Sequence, residues 1–225
     1  MKSYKYEFIQ FSLQKEALLF GEFTLKSGRK SPYFFNAGNF KTGADIARLG
    51  HFYAAALKNR FSPQDYDLLF GPAYKGIPLV TTTAIALATQ HQQNIPFCFN
   101  RKEPKDHAEG GMVVGASMYG KRVILIDDVV TAGTTIDEAT VLIKQEQGKF
   151  VGAVVALDRK EKGKTALSTI QEAEETYQIS IASIVDMDDL IQYLTLAATA
   201  QNKVQFEQYL VQASAYREQY GVITA

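Results

Sequence analysis

From about residue 66 onward, short apolar runs alternate with longer stretches that mix Ala and Leu with charged residues. Asp67-Leu68-Leu69-Phe70 reads as a strand, and Gly71-Pro72 breaks it. Residues 77–89 then fit a helix and 95–99 a strand. Beyond a charged loop, 123–126 reads as a strand and about 134–147 as a helix. Further strands are predicted at 151–157 and 179–184. The tail from Asp188 reads as helical, with Leu190, Tyr193 and Leu194 on one face. Ahead of this rhythm, Phe8, Ile9, Phe11 and Ser12, and later Ala17, Leu18 and Leu19, recur at helical spacing. Phe23-Thr24-Leu25 and Tyr33-Phe34-Phe35 read as short strands around the turn at 26–30, and 43–59 as a second helix. Strands that are apolar throughout are covered on both faces, and strands separated by helices pair in parallel. The expected fold class is therefore α/β, with a central, mostly parallel sheet flanked by helices. Ligands of such sheets bind beyond the carboxyl ends of the strands, so the residues that follow each run are the candidates for chemistry.

The most informative of these is 123-VILIDDVVTAGTT-135. An apolar strand ends in two adjacent carboxylates, Asp127 and Asp128, and then Thr131-Ala132-Gly133-Thr134-Thr135 turns into a helix. Backbone N–H groups, hydroxyls and a helix N-terminus together suit a phosphate, and Gly133 permits the tight turn. Carboxylates repel phosphate but accept strongly from hydroxyls. The combination fits a ligand that carries hydroxyls beside its phosphate, such as a ribose 5-phosphate. The same carboxylates suit positive charge that develops on a sugar ring. The GxxxxGK[ST] phosphate loop is absent from the sequence.

Composition narrows the field. The 225 residues contain 24 Lys+Arg and 24 Asp+Glu, so the net charge is zero, which argues against broad coating of nucleic acid. The single cysteine, Cys98, lies between Phe97 and Phe99 and reads as a buried, inert thiol. The start, MKSYKYEFIQF, lacks the apolar core of a signal peptide. No run approaches the roughly 18 apolar residues of a membrane span. The expectation is a single cytoplasmic domain over 1–225, binding neither membrane nor nucleic acid.

Three further segments fall where ligands are expected. In 71-GPAYKGIPL-79, Tyr74 and Lys75 follow the first strand of the sheet, and Lys75 offers a point charge to a diphosphate. In 100-NRKEPKDHAEGG-111, Arg101, Lys102, Lys105 and His107 stand among acidic residues, which suits a lid that closes over a polyphosphate and excludes water. In 157-LDRKEKG-163, Arg159 follows a strand and suits a bidentate grip on a carboxylate.

VILIDDVVTAGTT resembles the phosphoribosyl-pyrophosphate (PRPP) binding signature of type I phosphoribosyltransferases, and RKExKDHxEGG resembles the catalytic loop of the orotate phosphoribosyltransferases. Local matches run in family order over roughly residues 5–215. The resemblance implies the type I fold with a small N-terminal hood, built mainly from about 1–40, and a flexible catalytic loop at about 100–115. It implies catalytic roles for Lys105, His107, Asp127 and Asp128. It implies PRPP contacts from Lys26, Tyr74, Lys75, Arg101, Lys102, Lys105 and His107. The signature adds Asp127, Asp128, Val129, Val130, Thr131, Ala132, Gly133, Thr134 and Thr135. For orotate it implies Lys26, Phe34, Phe35, Thr131 and Arg159. It further implies a cis peptide at Ala73–Tyr74, and a homodimer in which the loop acts in the partner's site. Mg²⁺ is implied as cofactor, carried by PRPP without a direct protein ligand and bridged through water to Asp127 and Asp128. The match departs from the family pattern at Lys162, where a second Arg is usual, and at Ala108, where Gly is common. No decarboxylase domain follows in the sequence, so the likeness is to the monofunctional form. Two alternatives stay open at this point: transfer to another nucleobase, and a PRPP-sensing regulator that has lost its chemistry.

Overall fold

A computed structural model describes residues 1–25, 28–105, 111–130, 133–201 and 204–222 of the chain. Helix α1 (Ser3–Gln14) leads into the hairpin β1 (Leu18–Thr24) and β2 (Lys30–Phe35), then α2 (Gly43–Arg60), β3 (Leu68–Gly71) and α3 (Gly76–His91). An antiparallel pair follows, β4 (Phe97–Lys105) and β5 (Gly111–Gly115). After it come β6 (Arg122–Val129), α4 (Thr134–Gln145), β7 (Lys149–Asp158), α5 (Thr169–Tyr177) and β8 (Ser180–Asp186). Two helices, α6 (Met187–Gln201) and α7 (Val204–Tyr220), complete the order. The main sheet has the order β5-β4-β3-β6-β7-β8. All of its pairings are parallel except that of the edge strand β5 with β4. This is the expected fold class.

The period of two along a strand explains why the runs read as apolar throughout. In β6, Ile124 and Ile126 enter one core while Val123 and Leu125 enter the other. In β7, Val154 and Ala156 join the first core, and Ala153 and Val155 the second. The first core receives α1, α2, α3 and α6, through residues such as Phe8, Leu49, Val80 and Leu194. The second receives α4 and α5, through Ile136, Ile143, Ile170 and Ala173. Helices therefore cover both faces of the sheet. Cys98 is fully buried on β4, and burial pushes its thiol up to about 12.

Three expectations need correction. Leu18 and Leu19 do not extend the first helix but begin β1. Glu16 takes the left-handed conformation (φ 55°) and Ala17 N donates to Ser12 O at 2.8 Å, so the chain leaves α1 without the glycine that usually marks such a turn. The charged segment after residue 99 is not loop throughout. β4 continues to Lys105 and pairs with β5, because a ladder on a sheet edge tolerates charged side chains that point to water. Residues 106–110, between the two strands, lie outside the described residues. Finally, α5 was not anticipated, although Ser168 and Gln171 form a reciprocal capping box at its start, a signal readable in the sequence.

The predicted face of α6 is buried: Leu190 and Leu194 have no exposed surface and Tyr193 is 4% exposed. Leu190→Ala is expected to lower stability by about 2–5 kcal/mol. Leu196→Ala, at a half-exposed position of the same helix, is expected to change it by less than about 0.5 kcal/mol. Urea unfolding followed by circular dichroism checks both, and equal effects would mean that α6 is not seated by this face.

Candidate active site

β3, β6 and β7 are neighbours in the sheet, so the segments after them open on one edge. After β3 the chain turns back at once into α3, which leaves no room for side chains at two positions. A Cβ on Gly71 would lie 2.2 Å from Gly76 O, and one on Gly76 would lie 2.3 Å from Pro72 Cδ. Between them, the Ala73–Tyr74 peptide is cis, as the resemblance implied. Ala73 N donates to Asn100 Oδ1 at 2.8 Å, which ties this loop to β4. Tyr74 is exposed, and Lys102 Nζ lies 5.2 Å from the centre of its ring. Lys75 reaches across to β6, where its Nζ meets Asp128 Oδ2 at 2.7 Å.

The two carboxylates of β6 differ in environment. Asp127 is 8% exposed; its Oδ1 accepts from Asp128 N at 2.8 Å, and its backbone carbonyl accepts from Tyr53 OH at 2.8 Å. Burial, followed by the neighbouring charge of Asp128, pushes the Asp127 carboxyl up to about 7 against the pull of Asp128 N, Lys75 and Thr135. Asp128 is half-buried, and its Oδ1 accepts from Val129 N at 2.9 Å. Val129 closes the strand and Val130 is buried beyond it. Gly133 then takes φ 79°, a conformation that favours glycine, and opens α4 at Thr134 and Thr135 with no side chain capping the helix. The uncapped first turn leaves N–H groups and the positive end of the helix dipole beside the acid pair.

Other candidates fall into separate groups. Phe34 is 41% exposed and stacks on Phe23 at 5.6 Å, whereas Phe35 is half-buried against Phe8 at 6.1 Å. Adjacent on one strand, the two rings project to opposite faces. Arg101 donates from Nη1 to Gly111 O at 3.1 Å and so bridges β4 and β5. Arg159, after β7, is held by Glu161 (Nε–Oε1 2.6 Å) and donates from Nη2 to Ser31 Oγ at 2.9 Å. Lys105 is the last residue of β4, and its side chain lies outside the described residues, as do Lys26, His107, Thr131 and Ala132. Asn100 and Tyr53, which hold the loop after β3 and the acid strand in place, were not singled out by the sequence. Asn100 had only its position at the head of a charged run to mark it, and Tyr53 resembled any core aromatic of an amphipathic helix.

The phosphoribosyl transferase domain family matches residues 37–187, which include α2 through β8. Over 222 residues the chain is 57% identical to the orotate phosphoribosyltransferase of Shewanella oneidensis, covering 99% of each chain. It is 54% identical to that of Pseudoalteromonas translucida, covering 99% of this chain and all of the relative. A crystal structure of an orotate phosphoribosyltransferase from Francisella tularensis superposes with a TM-score of 0.82 at 40% identity, over 96% of this chain and 99% of that one. The chain belongs to the phosphoribosyl transferase domain family and, within it, to the orotate phosphoribosyltransferases.

The raised Asp127 carboxyl has a consequence for stability. An unperturbed aspartate releases its proton near pH 4, whereas folded Asp127 holds it to about 7. Between those values the folded state binds the extra proton, so the contribution of Asp127 to stability falls as pH rises through the window and is level above it. Asp127→Asn is therefore expected to gain on the native protein between pH 4.5 and 8, by on the order of 2–4 kcal/mol. Urea midpoints at the two pH values test this; a constant difference would place Asp127 in the ordinary carboxylate range.

Proposed function

We propose that this protein transfers the phosphoribosyl group of PRPP to a ring nitrogen of orotate, giving orotidine 5′-phosphate and diphosphate in the biosynthesis of UMP. The observation that carries the reading is the meeting of three features at adjacent strand ends. These are the acid pair of β6, the Lys75 ammonium 2.7 Å from Asp128, and the uncapped start of α4. Together they match a ligand with a 5-phosphate, ring hydroxyls and a diphosphate.

In the forward direction the orotate nitrogen forms a bond to C1 of the ribose as the C1–O bond to diphosphate breaks; the electron pair leaves with diphosphate, and the proton of the ring nitrogen is released to the diphosphate or to water. No protein nucleophile is required, so catalysis is positioning and electrostatic stabilisation of a ring that carries positive charge in the transition state. The backbone of Thr131–Thr135 and the first turn of α4 receive the 5-phosphate. Asp127 and Asp128 receive the ribose hydroxyls, and their charge faces the developing cation. Tyr74, Lys75, Arg101, Lys102, Lys105 and His107 hold diphosphate. Lys26, Phe34, Thr131 and Arg159 hold orotate, with Arg159 assigned to its carboxylate; the Phe35 ring packs on Phe8, so its part is confined to the backbone.

Mg²⁺, carried in with PRPP, supplies neutralisation of the diphosphate charge. The donors suit it, since Asp127 and Asp128 offer hard oxygens. Three of those contacts are already engaged, Asp127 Oδ1 with Asp128 N and the two oxygens of Asp128 with Val129 N and Lys75. That arrangement favours holding the water shell of the ion over binding the ion directly. The reading extends to one cytoplasmic domain with a hood from about 1–40. It also extends to a homodimer in which the loop at about 100–115 closes over the partner's site.

Purified protein with PRPP, Mg²⁺ and orotate is expected to deplete the ultraviolet absorbance of orotate, with no loss when PRPP is omitted. Turnover of uracil, hypoxanthine or adenine in its place would move the assignment to another base. Lys105→Ala is expected to lower kcat by roughly 10²-fold with an unchanged urea midpoint, and an unaltered rate would remove the loop from the chemistry.

A further inference from the structure

The C-terminal helix has no role in the reading above, yet it touches the residue assigned to the orotate carboxylate. Arg159 is surrounded on several sides. Its guanidinium lies over the Tyr33 ring at 4.3 Å, Nε meets Glu161 Oε1 at 2.6 Å, and Nη2 donates to Ser31 Oγ at 2.9 Å and to Tyr216 OH at 3.3 Å. Tyr216 belongs to α7, and its hydroxyl in turn donates to Glu161 Oε1 at 2.7 Å. One hydroxyl thus accepts from the arginine and donates to the arginine's own carboxylate partner, which closes a ring of three side chains.

The ring is anchored from both ends. Lys162 N donates to Tyr220 O at 2.8 Å and Val222 N donates to Lys160 O at 3.0 Å, so the end of α7 is zipped to the loop that carries Arg159. Arg217 Nε donates to Asp188 Oδ1 at 2.7 Å, and Lys160 Nζ donates to Asp188 Oδ2 at 2.7 Å. On the hood side, Arg29 Nη1 meets Glu161 Oε2 at 3.0 Å. The guanidinium groups of Arg29 and Arg159 therefore share the one carboxylate of Glu161, which leaves a single net positive charge on those three side chains. Nη1 of Arg159 has no hydrogen-bond partner among the described residues and is the part of the fork left for a ligand.

We propose that Tyr216 is a positioning residue for Arg159, and that α7 is thereby part of the subsite for the carboxylate of the base. This rests on the reading of Arg159 as the orotate grip. An arginine on a loop samples many rotamers, and a ligand that binds it must first order it. Here the hydrogen bonds of Ser31, Glu161 and Tyr216 order it in advance and leave Nη1 without a hydrogen-bond partner among the described residues.

Tyr216→Phe tests the proposal in the full-length protein. Phenylalanine keeps the packing of the ring against Tyr33 and Tyr220 and removes only the hydroxyl. The ¹⁵N heteronuclear NOE of the Arg159 Nε–H group, measured without ligand, is expected to be that of a rigid group in the native protein and to fall in the variant. The KM for orotate is expected to rise roughly tenfold, the worth of a hydrogen bond of this kind, while the KM for PRPP and the thermal midpoint stay constant. A merely structural role for α7 would move both KM values and the midpoint together, and that result overturns the proposal. So does an unchanged NOE with an unchanged KM for orotate. If the native protein ignores orotate altogether, the base assignment fails, and the NOE alone then decides whether Tyr216 positions Arg159.

Discussion

The centre of this protein depends on keeping a carboxylate pair at the edge of an apolar sheet. A strand buried on both faces delivers Asp127 into a place where only 8% of it meets solvent, and an ionised carboxylate there is expensive unless something answers its charge. The structure answers locally. Backbone N–H groups of the following residues turn onto both acids, Lys75 crosses from the next strand, and Tyr53 secures the carbonyl. The residual cost is visible in the raised carboxyl of Asp127. In the function proposed above, ligand hydroxyls or a hydrated cation supply the partners that the fold does not. The arrangement therefore spends fold stability on a site that is at its best when filled.

That constraint also explains the tightness of the loop after β3. Lys75 meets Asp128 only if the chain reverses within a few residues of the strand, and the reversal brings Gly71 and Gly76 into backbone contact. The same reversal presents Tyr74 to solvent. Sheet order, glycine placement and the ion pair are one arrangement seen at three scales.

Much of this was legible in the sequence, for identifiable reasons. Strands such as Val123–Ile126 and Val151–Leu157 are short, apolar on both faces and bounded by turn or charged residues, which together mark buried strands. Asp127, Asp128, Lys75 and Gly133 follow such strands directly, so the rule that ligands gather at strand ends found them. Less legible was what depends on pairing between distant segments. β5 is a five-residue run between glycines next to the charged segment, and its pairing with β4 spans residues outside the local pattern. The turn at Glu16 lacks a glycine. The ring of Arg159, Glu161, Ser31 and Tyr216 unites residues from the hood, a loop and the last helix, and no local pattern announces contacts of that span. The amphipathic period of α7 is indistinct, so its aromatics read as generic tail.

The hydrogen bond from Ala73 N to Asn100 has a consequence for how this architecture is held. It fastens the root of the β4–β5 hairpin to the floor of the cleft, upstream of the irregular register between Asn100 and Lys105. The contact holds the turn after β3 at the first residues of the hairpin, independently of the strand residues beyond it. The hairpin is in this sense an attachment on a fixed mount, anchored at its base by one side-chain amide.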